Sequence, residues 1–489
     1  MIKKKLDIEE IPLTIHNATM SDEDLFFSPG YEIRDKILKK ELSCKEVTEA
    51  FLTRIEKLNP KVNAYILIMK EQALKQAEEI DNNLELYLQS PLLGIPISVK
   101  DLLFDIENTV TTNGSLLCIR KVAEKDSLTI KRLKEAKSVF LGKTNVPEFG
   151  SEFITKNKLM KPTANPWKLT HSSGGSSGGA ASSVSAGLAS IAIANDSAGS
   201  IRLPSSFCSL FGYMPSFGRV PFSQHEELIF KPLHRIGPIS HTVKDAALVL
   251  DVISKNAGVD PDQKPEMSFI NLIDKELKPL KIGWSADLGL GIKNDEIISI
   301  IQKKLIELQK LGFEVEEVNL PFDLNEHLGD LKNFILAKFE VLSKEIPIFV
   351  KPILGSSITS LLEQASEVSS YDLEKADIFR KNFRKKMNLL MSKYDLLITP
   401  TSASPSFPIK EYPDCIKKIH SDPFVFFASL LFPFNFSGQP AASLPCGFNK
   451  EGLPIGLQVI GAENDDSVIF QFCSYFEKHF PWKDKNPIL

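Results

Sequence analysis

The sequence predicts one large α/β domain with helices on both faces of a sheet. Three observations lead there. Strand-like and helical stretches alternate along most of the chain, and no segment recurs at a fixed period. The 489 residues also carry an ordinary globular composition, 43% hydrophobic and 25% charged.

The elements follow in order. "YEIRDKILKKELSCKEVTEAFLTRIEKLNP" (31–60) sets Ile33, Ile37 and Leu38, then Val47, Phe51 and Ile55, at helical spacing, and helix is expected to about residue 85. Ser43 is placed to cap the second helix and Pro60 to close it. "GIPISVKD" (94–101) alternates like a strand and ends at Lys100. "SLTIKRLKEAKSVFLGKTNV" reads as a helix running into a buried strand. "AASSVSAGLAS" is expected to be a tightly packed helix, "SIAIAND" a short strand and "DSAGS" a tight turn. An amphipathic helix spans His241–Ser254, followed by strand "LKIGWSAD", helix "DEIISIIQKKLIELQKLG" and strand "FEVEEVNL". Residues 330–394 are mostly helical and charged, a cover over the sheet. "DLLITPTSA", "AASLPCGF" and "IGLQVIG" complete the core strands.

Composition excludes several classes of function. The 58 basic and 62 acidic residues leave a net charge of −4 with no basic cluster long enough to track phosphates, so nucleic acid is not an expected partner. Six scattered cysteines (44, 118, 208, 415, 446 and 473) form no C-x-x-C pair, which argues for reduced thiols in a cytoplasmic protein. "MIKKKLDIEEIPLTIH" lacks the apolar run of a signal peptide. "FVFFASLLFPFNF" (Phe424–Phe436) is too short to span a bilayer. The eight histidines include no H-E-x-x-H, so no metal is expected. His171 is the one nearest the Gly/Ser-rich tract, where a place on the wall of a site is conceivable and catalysis is not expected.

The tract "SSGGSSGGAASSVSAGLASIAIANDSAGS" (172–200) has the composition of a flexible linker, but Val184, Leu188, Ile191 and Ile193 interrupt it at core-like positions. "GGSSG" formally matches the G-x-S-x-G nucleophile elbow at Ser176. That motif needs a buried strand before it, and "NPWKLTHSS" is polar and loop-like, so the elbow is rejected. Ser200 stands better, at the end of a strand and turn whose N–H groups can converge on an oxyanion; a simple helix cap is the competing reading. Lys100 is a base only if desolvation at its strand end lowers an ordinary pKa of about 10.4; a surface pair with Asp101 is the alternative.

These residues resemble the signature of the amidase signature hydrolases. "GIPISVKDLL", "LGKTNVPEFG", "NPWKLTHSSGGSSGG", "NDSAGSIRLPSSFC", "GPISHTVKDAALVLD", "YDLLITPTSASP" and "SGQPAASLPCGFNKEGLPIGLQVIGA" match family segments in order, over about residues 30–475. The resemblance implies a mixed β-sheet sandwiched between helices. Residues 1–29 become an N-terminal extension and 30–489 a single catalytic domain, with 330–394 its helical cap. It also implies a Ser–cis-Ser–Lys triad: Ser200 as acylating nucleophile, Ser176 as the bridging serine on a cis peptide bond, and Lys100 as base. Ser197, Ala198 and Gly199, with Ser200, map to the oxyanion hole, and Gly150 to the substrate-binding wall. Ser177, Asp196 and Arg202 map to supporting positions. The implied reaction splits a carboxamide to carboxylate and amine or ammonia through an acyl-enzyme, without metal or organic cofactor. The expected partners are a small-molecule amide and, at most, a second copy of the chain, with no membrane span.

Two departures stand out. Ala198 occupies a position where the family usually has Gly, and "GYMPS" (212–216) replaces a more usual Gly-Leu-Lys-Pro-Thr. Within the family, the glutamine-hydrolysing component of tRNA-dependent amidotransferases and the fatty-acid amide hydrolases are the competitors to a general amidase. The first typically has Ser-Leu-Asp-Gln-Ile-Gly-Pro where this chain has "KPLHRIGP". Its acidic residue for the glutamine amino group maps by count to Ala428, among Phe424, Phe426, Phe427, Phe432, Phe434 and Phe436. An apolar wall there suits an uncharged acyl or aryl substrate. The charged N-terminus offers no membrane-contacting element. A binding scaffold without activity is disfavoured because all three triad side chains are present.

Overall fold

The computed structural model describes residues 22–489 apart from 223–230, 257, 259, 261, 321–322, 347, 411 and 413–422. The first 21 residues of the expected N-terminal extension, with their lysine run, and Cys415 lie outside the described residues. The strands are β1 (Tyr65–Ile68), β2 (Pro96–Lys100), β3 (Val139–Thr144), β4 (Ala164–Asn165), β5 (Lys168–Ser172), β6 (Ile191–Asp196), β7 (Phe211–Met214), β8 (Arg235–Ser240), β9 (Lys281–Trp284), β10 (Glu314–Glu317), β11 (Leu396–Pro400), β12 (Ala441–Phe448) and β13 (Pro454–Gly461).

Among the described residues, eleven of them make one sheet in the order β1-β3-β2-β6-β8-β7-β12-β13-β11-β9-β10, and β4 and β5 pair as a separate ribbon. The sheet is mixed. β2 runs parallel to β3 and β6, and β9 parallel to β10 and β11, while the other neighbours are antiparallel. Every residue of β2, β3 and β6 is buried, as expected for parallel strands covered on both faces.

The helix Cys44–Val62 starts on Ser43, whose side chain accepts from the N–H of Glu46 while Glu46 reaches back to Ser43, a complete capping box. Pro60 does not close it. The helix continues to Val62 and ends on Asn63 in the left-handed region, because a proline removes one donor without forcing an immediate stop in a last turn. The span expected as helix to residue 85 also contains β1, which Tyr65 anchors by donating its hydroxyl to the Leu188 carbonyl at 2.8 Å. β7 and β8 have no counterpart among the strands expected from sequence. Their glycines and Pro238 have low strand propensity, but β8 is hydrogen-bonded on both sides, by β6 and β7.

The expected helical cover is present as Leu328–Glu345, Ser356–Ser366 and Ser370–Met391, inserted between β10 and β11. Its turn at 353–355 is fastened to the body from two directions. Glu148 accepts from the Gly355 N–H at 2.7 Å and from Ser115 Oγ at 2.6 Å, and Lys158 donates to the carbonyls of Ile353 and Leu354 at 3.1 and 2.6 Å. In "GYMPS", Tyr213 and the Ser216 N–H both donate to Asp466, and Met214 is buried, so this departure has a packing role. Among the described residues no helix is long and apolar enough to cross a membrane.

Candidate active site

Because β2 and β6 are parallel, with Val99 opposite Ile193, their C-terminal ends open at the same edge of the sheet. Lys100 ends the first and Asp196 the second. Lys100 is wholly buried, its Nζ 2.9 Å from Ser176 Oγ and donating to the Asn195 carbonyl at 3.3 Å. Ser176 Oγ lies 3.0 Å from Ser200 Oγ, and the Gly175–Ser176 peptide bond is cis. Three side chains from distant parts of the sequence thus form one unbroken line. The alternative pairing of Lys100 with Asp101 does not occur: Asp101 faces Lys143 of β3 at 3.2 Å, and both are buried.

The turn after β6 is built around Asp196. Its carboxylate accepts from the N–H groups of Gly199 and Ile201 at 2.7 and 3.1 Å, and from Arg202 Nε and Nη2 at 3.0 Å each. Burial raises this carboxyl, but the Arg202 guanidinium and the surrounding donors outweigh it and hold it at about 2. Arg202 is itself fully buried and continues to the Leu431 carbonyl at 2.9 Å, to Gln458 at 2.7 Å and to Asn435 at 2.5 Å.

This arrangement corrects one expectation for the turn. The Gly199 N–H is engaged by Asp196, which leaves the N–H groups of Ser197, Ala198 and Ser200 as candidates for an oxyanion. Positive φ falls on Gly199 (108°) and not on Ala198, so alanine sits there without strain. Ser197 Oγ is 2.7 Å from Nδ1 of His234, a partner sequence reasoning missed in "KPLHRIGP". Ser177 Oγ donates to the Asn195 carbonyl at 3.4 Å, the same oxygen that Lys100 reaches.

These groups line a cavity of about 50 Å³. Ser176, Asn195, Ser197, Ala198 and Ser200 form its polar side, and Leu102, Phe153, Ile335 and Phe339 its apolar side. Gly150 and Ser151 complete the wall with Glu152, which pairs with Lys156 at 3.2 Å. Gly150, at φ 70°, is the point of closest approach: a Cβ there would stand 2.9 Å from Leu102 and 3.4 Å from Ser176 Oγ. Ile335 and Phe339 are one turn apart on the first cap helix, a pairing with no sequence signal linking it to the tract. A second small cavity, about 20 Å³, lies on the other side of Ile335 among Leu328, Leu331, Ala428 and Phe432.

Ala428 thus faces an apolar compartment, and Phe426, Phe427, Phe432, Phe434 and Phe436 are buried in the core around it; the Phe424 side chain lies outside the described residues. His171 is placed in β5 and bridges to Pro408, away from the cavity wall. A larger open groove of about 780 Å³ between residues 24–58 and the C-terminal tail shares no residue with the cavity. Among the described residues no cluster of three His, Cys, Asp or Glu side chains could hold a metal ion.

Comparison with known proteins agrees with this architecture. The family model described as Amidase matches residues 46–470. The chain is 30% identical over 480 residues to an acylamidase of Rhodococcus erythropolis, covering 96% of this chain and 98% of that protein. It is 33% identical over 497 residues to the glutamyl-tRNA(Gln) amidotransferase GatA-type component of Moorella thermoacetica, covering 95% and 99%. Among solved structures, a bacterial aryl acylamidase of the amidase signature family superposes with a TM-score of 0.85 at 27% identity, covering 94% of this chain and 97% of that one. With the matched family spanning most of the chain, the protein belongs to the amidase family and is a serine-type amidase that hydrolyses a carboxamide C–N bond.

Proposed function

We propose that this protein is an acylamidase in which Lys100, Ser176 and Ser200 act as a proton-relay triad on an apolar amide. The observation that carries the proposal is the hydrogen-bonded line of 2.9 and 3.0 Å from Lys100 through Ser176 to Ser200, ending in a cavity with an apolar side. Burial disfavours the ammonium form of Lys100, which suits it to take a proton from Ser176 as Ser176 takes one from Ser200. The Ser200 oxygen then attacks the amide carbonyl. The oxyanion is held by N–H groups of the Ser197–Ser200 turn, which Asp196 and Arg202 keep rigid. Ser176 returns a proton to the leaving nitrogen, and water releases the acyl group from Ser200.

Leu102, Phe153, Ile335 and Phe339 favour an uncharged acyl or aryl group over glutamine, and Ala428 supplies no carboxylate for an amino group. In this reading residues 30–489 form one catalytic domain and 330–394 its cap. The five described cysteines are free thiols, four of them buried, which fits a cytoplasmic setting; assembly as a homodimer belongs to the same proposal and is read by sedimentation.

The test is amine or ammonia release by the purified chain alone on aliphatic, aromatic and fatty amides and on glutamine. Ser200→Ala and Lys100→Ala are expected to lose several orders of magnitude in kcat. Turnover of glutamine alone, or none until partner proteins and charged tRNA are added, would overturn the acylamidase reading in favour of an amidotransferase component, the alternative that the 33% identity to the Moorella thermoacetica protein sustains.

A further inference from the structure

Asn195 immediately precedes the Asp196 turn and forms part of the cavity wall between Lys100's line of hydroxyls and Ser197. It is 3% exposed, yet its side-chain oxygen has no hydrogen-bond partner among the described residues. That is unusual. Buried carbonyls are nearly always paired, and one left unpaired is unfavourable unless a ligand completes it. Its main chain, by contrast, is fully used: the carbonyl accepts from both Lys100 and Ser177. The backbone therefore fixes where the residue sits while the carboxamide is left without a role in the fold.

The substrate supplies what is missing. A carboxamide brings two polar groups to the reacting centre, a C=O and, in primary and secondary amides, an N–H. The turn 197–200 offers donors to the first. We propose that the Asn195 side-chain oxygen accepts a hydrogen bond from the substrate N–H, making Asn195 a specificity-determining residue that selects N–H amides over esters. The bond persists as the nitrogen becomes the leaving amine, since that nitrogen gains a proton and keeps the one it had. An ester places an oxygen there, which has no hydrogen to donate and leaves Asn195 unpaired. Selectivity of this kind, against an analogue that lacks a donor, is stronger than a pocket achieves by shape alone.

The inference rests on the triad reading, and the experiment separates the two. Butyranilide and phenyl butyrate differ by one N–H, and kcat/KM is measured for both with the wild type, Asn195→Leu and Asn195→Ala, each checked by thermal melting. Either folded variant is expected to lose roughly tenfold on the anilide and less than about twofold on the ester. Comparing each variant with the wild type cancels the greater intrinsic reactivity of the ester. Equal losses on both substrates would show a merely structural role, and no loss on the anilide would show no contact; each overturns the proposal. Neither result bears on Ser200, whose own alanine variant must abolish hydrolysis of both substrates if the triad reading holds. Should Asn195→Leu fail to fold, Asn195→Ala, which adds no bulk, decides the question by the same ratio.

Discussion

Replacing Asp196 by asparagine changes one oxygen to an NH₂ and removes one charge where both matter. Neither Asp196 nor Arg202 is exposed, and four donors converge on the carboxylate within 3.1 Å. A carboxyl held at about 2 instead of an ordinary 3.8 favours its ionised form by about 2.5 kcal/mol. Asparagine forfeits that and leaves the Arg202 guanidinium buried without its counter-charge; breaking such a pair costs about 3–5 kcal/mol. The two figures describe overlapping interactions and are not summed. Arg202 keeps its bonds to Leu431, Gln458 and Asn435, so the loss falls near the lower end, about 3 kcal/mol. Urea unfolding at pH 7 reads it as a lower midpoint at unchanged slope. Because the folded pKa is depressed, the carboxylate's contribution is fully present above about pH 4 and disappears as pH falls toward 2. The gap between wild type and variant should close over that window. Activity should fall about 100-fold, since the turn that carries Ser200 loses its anchor. A variant with wild-type midpoint and activity at pH 7 would refute the claim that Asp196 organises the turn.

Gly150→Ala places a methyl 2.9 Å from Leu102 and 3.4 Å from Ser176 Oγ at a φ of 70°, and should cut kcat/KM at least tenfold with a melting temperature reduced by only a few degrees. Ile335→Ala removes the partition between the 50 and 20 Å³ cavities, so the profile of kcat/KM against acyl-chain length should shift toward longer amides. Glu477, half-buried with Asp245 nearby, has a carboxyl that burial and this neighbouring charge push up to about 8. Its stabilising contribution is therefore complete below about pH 4.5 and lost as pH rises through 8. Glu477→Gln should gain on the wild type in urea midpoint across that range, and a constant difference from pH 4.5 to 8 would contradict the assignment.

How legible these features are in the sequence depends on how local their causes are. The capping box at Ser43 and Glu46 and the uninterrupted apolar runs of β2 and β6 act over a few residues, and their elements form where the sequence places them. β1 has four residues, too few to show any period, and lies in a stretch that reads as helix. β8 holds Gly237 and Pro238 against local preference because both neighbours pair with it, which no window of sequence contains. At the site, the positions of Lys100, Ser176 and Ser200 came from likeness to a family; read locally, Ser200 is as good a helix cap as a nucleophile. Ile335 and Phe339 could not be found at all, since only the folding of a distant helix brings them over the serines. The engagement of the Gly199 N–H by Asp196 is likewise a matter of turn geometry, decided by a φ of 108°.

The cap enters the chain between β10 and β11, two strands that flank β9 and keep their pairing with it whatever lies between them. Lys100, Ser176 and Ser200 lie far upstream of that insertion, while Ile335 and Phe339 lie within it. Descent can therefore revise one without revisiting the other. A lineage that lengthens, shortens or reshuffles the inserted helices, keeping Glu148 and Lys158 to hold their turn in place, changes its diet while its chemistry is inherited intact.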